Sequence, residues 1–142
     1  MSLTPLDNLV RANQLKLEAA AQAELDGLLR SGHARLKDAT NASLSAESRF
    51  DLAYNAAHAL SLAALRWHGY RSENRYIVFQ CLTHTVQLPA EQWRVLSDAH
   101  RQRNLAEYEG HADVDEALLA ALIRVAGEVA KRVAALGPLP AK

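Results

Sequence analysis

The chain has 142 residues, of which 49% are hydrophobic and 23% are charged. This length and composition predict one globular domain with a single hydrophobic core, and they disfavour intrinsic disorder. A net charge of zero and a pI near 7.0 disfavour a broad surface for duplex nucleic acid, which needs an extended basic face. A small, local basic cleft remains compatible with this composition.

The cysteine content and the hydropathy of the chain indicate the cellular compartment of the protein. Cys81 is the single cysteine, so the chain has no internal disulfide and no cysteine pair for a zinc site. This usage fits a reducing cytoplasm. The first residues lack the basic flank and apolar run of a signal peptide, and no apolar stretch approaches the roughly 20 residues of a membrane span. We therefore expect a cytoplasmic protein without membrane association.

The first third of the chain predicts two helices. Thr4-Pro5 is a helix start, since threonine can cap and proline at the first helical position loses no hydrogen bond. It predicts a short N-terminal helix over 5–16. Leucines at helical spacing predict a second helix over about 20–40, although Gly32 lies in its middle.

The next helix is long and rich in alanine. Ser45 is a candidate N-cap, and Gly69 is a natural C-terminal stop. The small alanine side chains between them would let a neighbouring helix approach closely. We therefore expect this helix to pack against others along most of its length.

Three further signals predict the remaining helices. Ser72 is a candidate cap for a helix over 76–86, Pro89 begins a helix that ends near Gly110, and Asp113 is a candidate cap for the last helix. No alternating strand pattern longer than a few residues is present. The sequence thus predicts an all-α, single-domain, up-and-down helical bundle of about five or six helices.

The whole of 1–142 forms one domain in this interpretation. Its core covers about 20–136, preceded by the short helix over 5–16. Gly137-Pro138 ends the last helix, and we expect the tail over 137–142 to be loosely held.

One segment departs from the pattern of packing helices. Between positions 100 and 110 an apparent helix crowds chemically versatile side chains together. Positions i, i+3, i+4, i+7 and i+8 of a helix share a face, and these are occupied by His100, Arg103, Asn104, Glu107 and Tyr108. A chemical site is therefore expected here first.

The order of two motifs resembles the HEPN-domain family. The segment 49–58 (RFDLAYNAAH), in a helix that ends at Gly69-Tyr70-Arg71, is similar to the family's core helix. Arg103-Asn104 stands where a later helix of the family carries arginine and a polar residue. The resemblance covers roughly 20–135. It implies a small helical bundle that pairs as a homodimer, with the arginine and histidine motifs of two chains at one composite site.

The resemblance also implies a choice of functions. Many HEPN proteins are metal-independent RNases, frequently toxins of toxin–antitoxin pairs or parts of defence systems. Others are inactive partners of small nucleotidyltransferases. The family places a histidine four to six residues beyond the Arg-Asn pair, but here those positions are Tyr108, Glu109 and Gly110. The nearest downstream histidine, His111, lies past the glycine.

The residue types suit RNA cleavage by internal attack. Arg103 would stabilise charge on the phosphorane, because its planar fork offers paired donors and stays charged. Asn104 would position a phosphate oxygen. Tyr108 would hydrogen-bond phosphate or stack on a base. His100, one turn upstream of Arg103, would supply the imidazole that acts as general base near neutral pH.

A structural role is the alternative for this face. In that interpretation it is a polar seam between helices, with Arg103 paired to Glu107, Tyr108 half-buried and His100 at the rim. His58 with Asp51 or Asn55 lacks convincing ligand spacing, so we expect neither a metal nor a cofactor. A second basic cluster around the Gly69 turn is interpreted as a solvated turn or, alternatively, an RNA or partner surface; it comprises Arg66, His68, Arg71 and Arg75.

Three functions follow from these observations. The first is a HEPN-like RNase of the toxin type that acts on RNA as a homodimer, with Arg103, Asn104, Tyr108 and His100 at its site. The second is a non-catalytic HEPN-like subunit that binds a nucleotidyltransferase-type antitoxin. The third is a plain helical scaffold.

Overall fold

The structure is a computed structural model that describes residues 4–109 and 114–140. Its helical segments are α1 Thr4–Arg11, α2 Gln22–Ala39, α3 Ala46–Trp67, α4 Arg75–Gln80, α5 Leu82–Thr85, α6 Ala90–Glu109 and α7 Glu116–Ala134. Two short strands, β1 Lys16–Leu17 and β2 Tyr70–Arg71, pair antiparallel, with Lys16 opposite Arg71. The predicted all-α bundle is confirmed. Among the residues described, no helix is both long and apolar enough to cross a membrane.

Helix α3 is the central element, and α2, α4, α6 and α7 all pack against it. Its alanines are buried along most of its length, as the sequence predicts. Helices α2 and α3 approach each other closely at Gly32 of α2. A Cβ atom at this position would lie 2.7 Å from Cγ of Leu60, a distance that real contacts do not show. Glycine is therefore required where α2 crosses α3.

The core has two parts. The larger part lies among α2, α3, α4, α5, α6 and α7, and it includes Tyr54, Phe79, Leu96 and Leu122. The smaller part joins α1 to the end of α3 and to α4. Its members are Leu6, Leu15, Leu65, Tyr70, Val78 and Cys81. Burial of these apolar side chains is the main stabilising term for both parts.

Side-chain caps fix the helix starts. Ser45 accepts a hydrogen bond from the backbone N–H of Ser48 at 3.1 Å, as predicted for α3. The prediction of Ser72 as the next cap is wrong, because Asn74 accepts from the N–H of Ile77 at 3.1 Å. Asp115 caps α7, while Asp113 lies outside the described residues.

The N-terminal helix is shorter than predicted. It ends at Arg11, and Asn13 adopts a left-handed conformation with φ of 61°. The following segment is extended because it is bound to the end of α3. There Arg66, only 2% exposed, donates to the carbonyl oxygens of Glu18 and Ala19 at 2.6 and 3.2 Å and to both carboxylate oxygens of Glu24. The predicted helix does not reach residue 16 because Lys16 instead pairs with Arg71 of β2.

Two other boundaries differ from expectation. The helix predicted over 76–86 is divided at Cys81 into α4 and α5. The described part of the C-terminal tail is held rather than loose. Trp67 Nε1 donates to the carbonyl oxygen of Gly137 at 3.0 Å, and the N–H of Leu139 donates to Gln22 Oε1 at 2.8 Å.

Candidate functional site

The polar face of α6 meets a buried tyrosine of α3. Tyr54 is fully buried, and its hydroxyl oxygen lies 2.9 Å from Nδ1 of His100. Arg103 and Asn104 follow His100 by three and four residues, so the three side chains share one face of α6. The structure therefore brings together three of the four residues that the sequence predicts for the site.

Hydrogen bonds at both ring nitrogens orient His100, and the Asn104 amide in this orientation favours one tautomer. The amide nitrogen of Asn104 lies 3.2 Å from Nε2, and an amide nitrogen only donates. Nε2 therefore accepts, and the neutral imidazole carries its proton on Nδ1. Nδ1–H then donates to the hydroxyl oxygen of Tyr54. His100 is oriented at both nitrogens, with its lone pair on Nε2.

Two arginines from different helices converge on Tyr54. The Cζ atoms of Arg103 on α6 and Arg75 on α4 lie 4.9 and 5.4 Å from the centroid of the Tyr54 ring, within the range of a cation–π interaction. Arg75 donates to the amide oxygen of Asn55 at 2.9 Å. Arg103 Nε lies 4.0 Å from a carboxylate oxygen of Asp51, the limit of an ion pair. We call Tyr54, Arg75, His100, Arg103 and Asn104 the Tyr54 cluster.

Aromatic rings enclose the Tyr54 cluster on its inner side. Phe79 is buried and packs edge-on against Tyr54, with ring centroids 5.7 Å apart. It also packs edge-on against His58 and His100, at 6.2 and 6.5 Å. Tyr76 borders His100 at 5.8 Å. This apolar backing excludes water from one side and strengthens the electrostatic interactions of the cluster.

Burial and positive charge keep the nearby imidazoles neutral. Burial, with the charges of Arg75 and Arg103, lowers the pKa of His58 to about 4. Burial and the same two arginines also lower the pKa of His100 below its ordinary value. Burial raises the pKa of Tyr54, against the opposing effect of both guanidinium groups. Both imidazoles are therefore uncharged near neutral pH.

The cluster lies between two hollows. Arg103 reaches the first, a space of about 230 Å³ between α3 and α6 that is also lined by Asp51, Gln102 and Glu107. Arg75 lines the second hollow. Because Arg103 remains 33% exposed, a ligand can contact a guanidinium group of the cluster from solvent.

Tyr108 is placed differently from the other predicted residues. It lies two turns beyond His100, and its side chain is 89% exposed. The structural alternative also differs from the observed contacts, because Arg103 approaches Asp51 rather than Glu107 and Tyr108 is not half-buried. Tyr54 supplies the hydroxyl group of the cluster instead. His111 lies outside the described residues.

The sequence pattern does not identify the contributions of α3 and α4. Arg75 was assigned to the basic turn around Gly69, yet its guanidinium group faces Tyr54. Arg66 of the same turn is buried and bound to Glu24. His58 is half-buried, as expected for a core histidine. The signal in the sequence is the four-residue spacing of Tyr54 and His58, which places both side chains on one face of a helix. His100 and Asn104 have the same spacing.

The fold and the site define a class: an all-α helical bundle with a half-buried cluster of arginine, histidine and tyrosine. Within residues 4–109 and 114–140, no group of three or more His, Cys, Asp or Glu side chains is arranged to hold a metal ion. Comparisons with protein-family models, with curated proteins and with solved structures found no match to this chain.

Proposed function

We propose that this protein is a HEPN-like, metal-independent endoribonuclease of the toxin type that acts on RNA as a homodimer. The observation that supports it is the Tyr54 cluster, in which an oriented, neutral His100 lies one turn from Arg103 and beside a second guanidinium group. The resemblance of the Arg49–His58 and Arg103-Asn104 segments supports the same activity. The single, buried Cys81 accords with a cytoplasmic setting.

Each residue of the cluster has a role in this proposal. Nε2 of His100 takes the proton of the 2′-hydroxyl in place of the hydrogen bond from Asn104. The 2′-oxygen attacks phosphorus, the bond to the 5′-oxygen breaks, and His100 returns the proton to that leaving oxygen. Arg103 and Arg75 stabilise the phosphorane charge. Tyr54 keeps the imidazole in the required tautomer. The products are a 2′,3′-cyclic phosphate and a 5′-hydroxyl.

Asn104 and Tyr108 complete the proposed site. Asn104 holds His100 at rest and becomes free to bind a phosphate oxygen when the 2′-hydroxyl takes its place. Tyr108 is exposed enough to stack on a base or to contact the second copy. In a homodimer the C-terminal half of α6 would bring it toward the partner's cluster.

The test is cleavage of a labelled single-stranded RNA with excess chelator. Arg103→Ala should lower the rate at least about 100-fold, the usual effect of removing an electrostatic stabiliser of the transition state. Arg101→Ala is the matched control, since Arg101 is 73% exposed and paired with Asp98, and it should cleave at the wild-type rate. Tyr108→Phe measures the contribution of the tyrosine hydroxyl. Unchanged cleavage in Arg103→Ala would contradict the proposal.

A stability measurement accompanies this test. Arg103 is partly exposed and its distance to Asp51 is long, so Arg103→Ala should change the free energy of unfolding by under about 1 kcal/mol. A loss of several kcal/mol would instead assign Arg103 to a structural seam.

A second candidate is a non-catalytic subunit that binds a small nucleotidyltransferase. The observation in its favour is the apolar surface at the C-terminal half of α6, where Leu105 is 48% exposed and Tyr108 is 89% exposed. Large exposed apolar side chains on one element mark protein interaction sites. Absence of RNA cleavage together with capture of a nucleotidyltransferase from the cell of origin, lost in Leu105→Asp, would select this function.

A further inference from the structure

The second hollow adjoins the Tyr54 cluster at Arg75. It has a volume of about 400 Å³, within the common range of roughly 300–1,000 Å³ for ligand pockets. Its walls come from α2, α3 and the segment between β2 and α4. The residues that matter for its chemistry are Leu28, His58, Leu62, Arg71, Glu73 and Arg75.

The hollow is continuous with the cluster through shared side chains. Arg75 lines the hollow and also lies against Tyr54. His58 lines the hollow and packs edge-on against Phe79, which in turn contacts His100. A polyanion whose phosphate is bound by Arg75 at the cluster can therefore extend directly into the hollow.

The walls of the hollow suit a planar, partly apolar group. Leu28 and Leu62 are partly buried apolar side chains that pack against the two parts of the core. His58 presents an imidazole that its surroundings keep uncharged. Arg66 also borders the hollow, but Glu24 and main-chain carbonyls occupy its guanidinium group. The interior thus offers two leucine side chains and one uncharged imidazole against which a base can pack, beside the Arg66–Glu24 ion pair.

The rim of the hollow carries the groups that distinguish ligands. Arg71 is 44% exposed, and its Nη1 binds Glu18 at 2.8 Å, which leaves other donors of its fork to face solvent. Glu73 is exposed at the same rim. An ionised glutamate only accepts hydrogen bonds. It therefore favours a base with an exocyclic amino group, such as cytosine, over uracil, whose corresponding group is a carbonyl.

We propose that this hollow is a base-selective RNA subsite, in which Glu73 accepts from an exocyclic amino group and Arg71 binds the next phosphate. The proposal deepens the proposed function and rests on it, because RNA is taken as the ligand of the Tyr54 cluster. The subsite holds the nucleotide next to the reacting phosphate, and Arg75 contacts the phosphate that joins them.

The test is equilibrium binding of 2′-O-methyl oligonucleotides, which have no free 2′-hydroxyl and cannot be cleaved by internal attack. The full chain should bind oligocytidine about tenfold tighter than oligouridine, the effect of one well-placed hydrogen bond to a charged group. Glu73→Gln should reduce this ratio to under about threefold, because a glutamine amide can also donate to the uracil carbonyl. Glu91→Gln, at an exposed carboxylate of α6, should keep the wild-type ratio.

Arg71→Ala separates phosphate binding from base selection. It should weaken the binding of both oligonucleotides by the same factor, roughly tenfold, and leave the ratio of their affinities unchanged. Arg30→Ala, at an exposed arginine of α2 outside the hollow, should have no effect on either.

The outcomes distinguish this proposal from the proposed function. Equal binding of the two oligonucleotides, or a preference that persists in Glu73→Gln, overturns the subsite even where the protein cleaves RNA. Selective binding that depends on Glu73, without cleavage in the chelator assay, supports the subsite and counts against the enzyme. Absence of all oligonucleotide binding overturns the subsite, and absence of cleavage as well overturns both.

Discussion

Tyr54 is a buried tyrosine of α3 that contacts polar side chains of α4 and α6. It has no exposed surface, so its hydroxyl group acts on its neighbours rather than on solvent. It is hydrogen-bonded to His100, and Arg75 and Arg103 lie against its ring. A buried polar group of this kind is stabilising only while its partners are in place. The geometry of the cluster therefore depends on this residue.

We predict that Tyr54→Phe lowers the free energy of unfolding by about 1–2 kcal/mol, because Nδ1–H of His100 is left half-buried without its acceptor. The phenylalanine ring keeps its contacts with both arginines. The His100 proton should also redistribute between Nδ1 and Nε2, which nitrogen-15 NMR of the imidazole detects. Tyr76→Phe is the control, since that ring is 37% exposed and only borders His100. A Tyr54→Phe protein with unchanged stability and tautomer would contradict this role.

The sequence predicts three of the five residues of the cluster, and the reason is physical. His100, Arg103 and Asn104 share a face of one helix, and helical periodicity alone places them together. Tyr54 and Arg75 belong to other helices, and their approach depends on how α3, α4 and α6 pack. Arg75 is separated from Tyr54 by a turn and a strand, so no local pattern relates the two.

At the scale of elements, the crossing of α2 and α3 provides a matched pair of substitutions. Gly27 and Gly32 both lie within α2, and alanine favours a helix over glycine by about 1 kcal/mol. An added Cβ meets nothing within 4 Å at Gly27, but at Gly32 it meets Leu60 at 2.7 Å. We predict that Gly27→Ala raises the melting temperature. Gly32→Ala should lower it, because overpacking reduces the free energy of unfolding by about 1–3 kcal/mol. Thermal unfolding followed by circular dichroism measures both.

The reverse order would contradict the packing described for this crossing. A rise in melting temperature for both variants would mean that Leu60 can move aside without loss, so that Gly32 is not required by close approach. A fall in melting temperature for both variants would mean that both glycines are needed for a reason that the structure of α2 does not show.

Helix identities are predictable here, whereas several boundaries are not. The Ser45 cap, the Gly69 stop and the alanine-rich α3 follow from local signals that the structure confirms. The predicted helix runs to residue 16, yet Lys16 pairs with Arg71, and the carbonyl groups of Glu18 and Ala19 are bound by Arg66, 48 and 47 residues away. Such long-range hydrogen bonds leave no trace in local periodicity.

At the scale of the whole molecule, stability should depend on pH through His58. Its pKa in the folded protein is about 4, against an ordinary value of 6.5. Between these values the unfolded chain binds a proton that the folded protein does not. The stabilisation is therefore complete above pH 6.5 and is lost as the pH falls toward 4, by up to about 3 kcal/mol. The lowered pKa values of His68 and His100 act in the same direction.

Chemical denaturation at pH 7 and at pH 4.5 measures this dependence. His58→Gln should show a clearly smaller loss of stability between the two pH values than the wild type. His33→Gln is the control, because His33 is an exposed histidine of α2, and its loss should equal that of the wild type. An identical loss in wild type and His58→Gln would contradict the burial of a neutral imidazole at this position.

At the scale of the whole molecule, the Tyr54 cluster adjoins two hollows. Arg103 lines the first and Arg75 lines the second. The proposed chemistry and the proposed subsite share Arg75, which belongs to the Tyr54 cluster and also lines the second hollow.

The most direct test of the proposed activity is cleavage of one end-labelled RNA and its 2′-O-methyl counterpart by wild type and His100→Ala, with chelator present. The wild type should cleave only the RNA and leave a 2′,3′-cyclic phosphate. His100→Ala should be at least about 100-fold slower, the usual effect of losing a general base, while Arg101→Ala keeps the wild-type rate. An unchanged rate in His100→Ala, cleavage of the 2′-O-methyl strand, or no cleavage of any RNA would contradict the proposal.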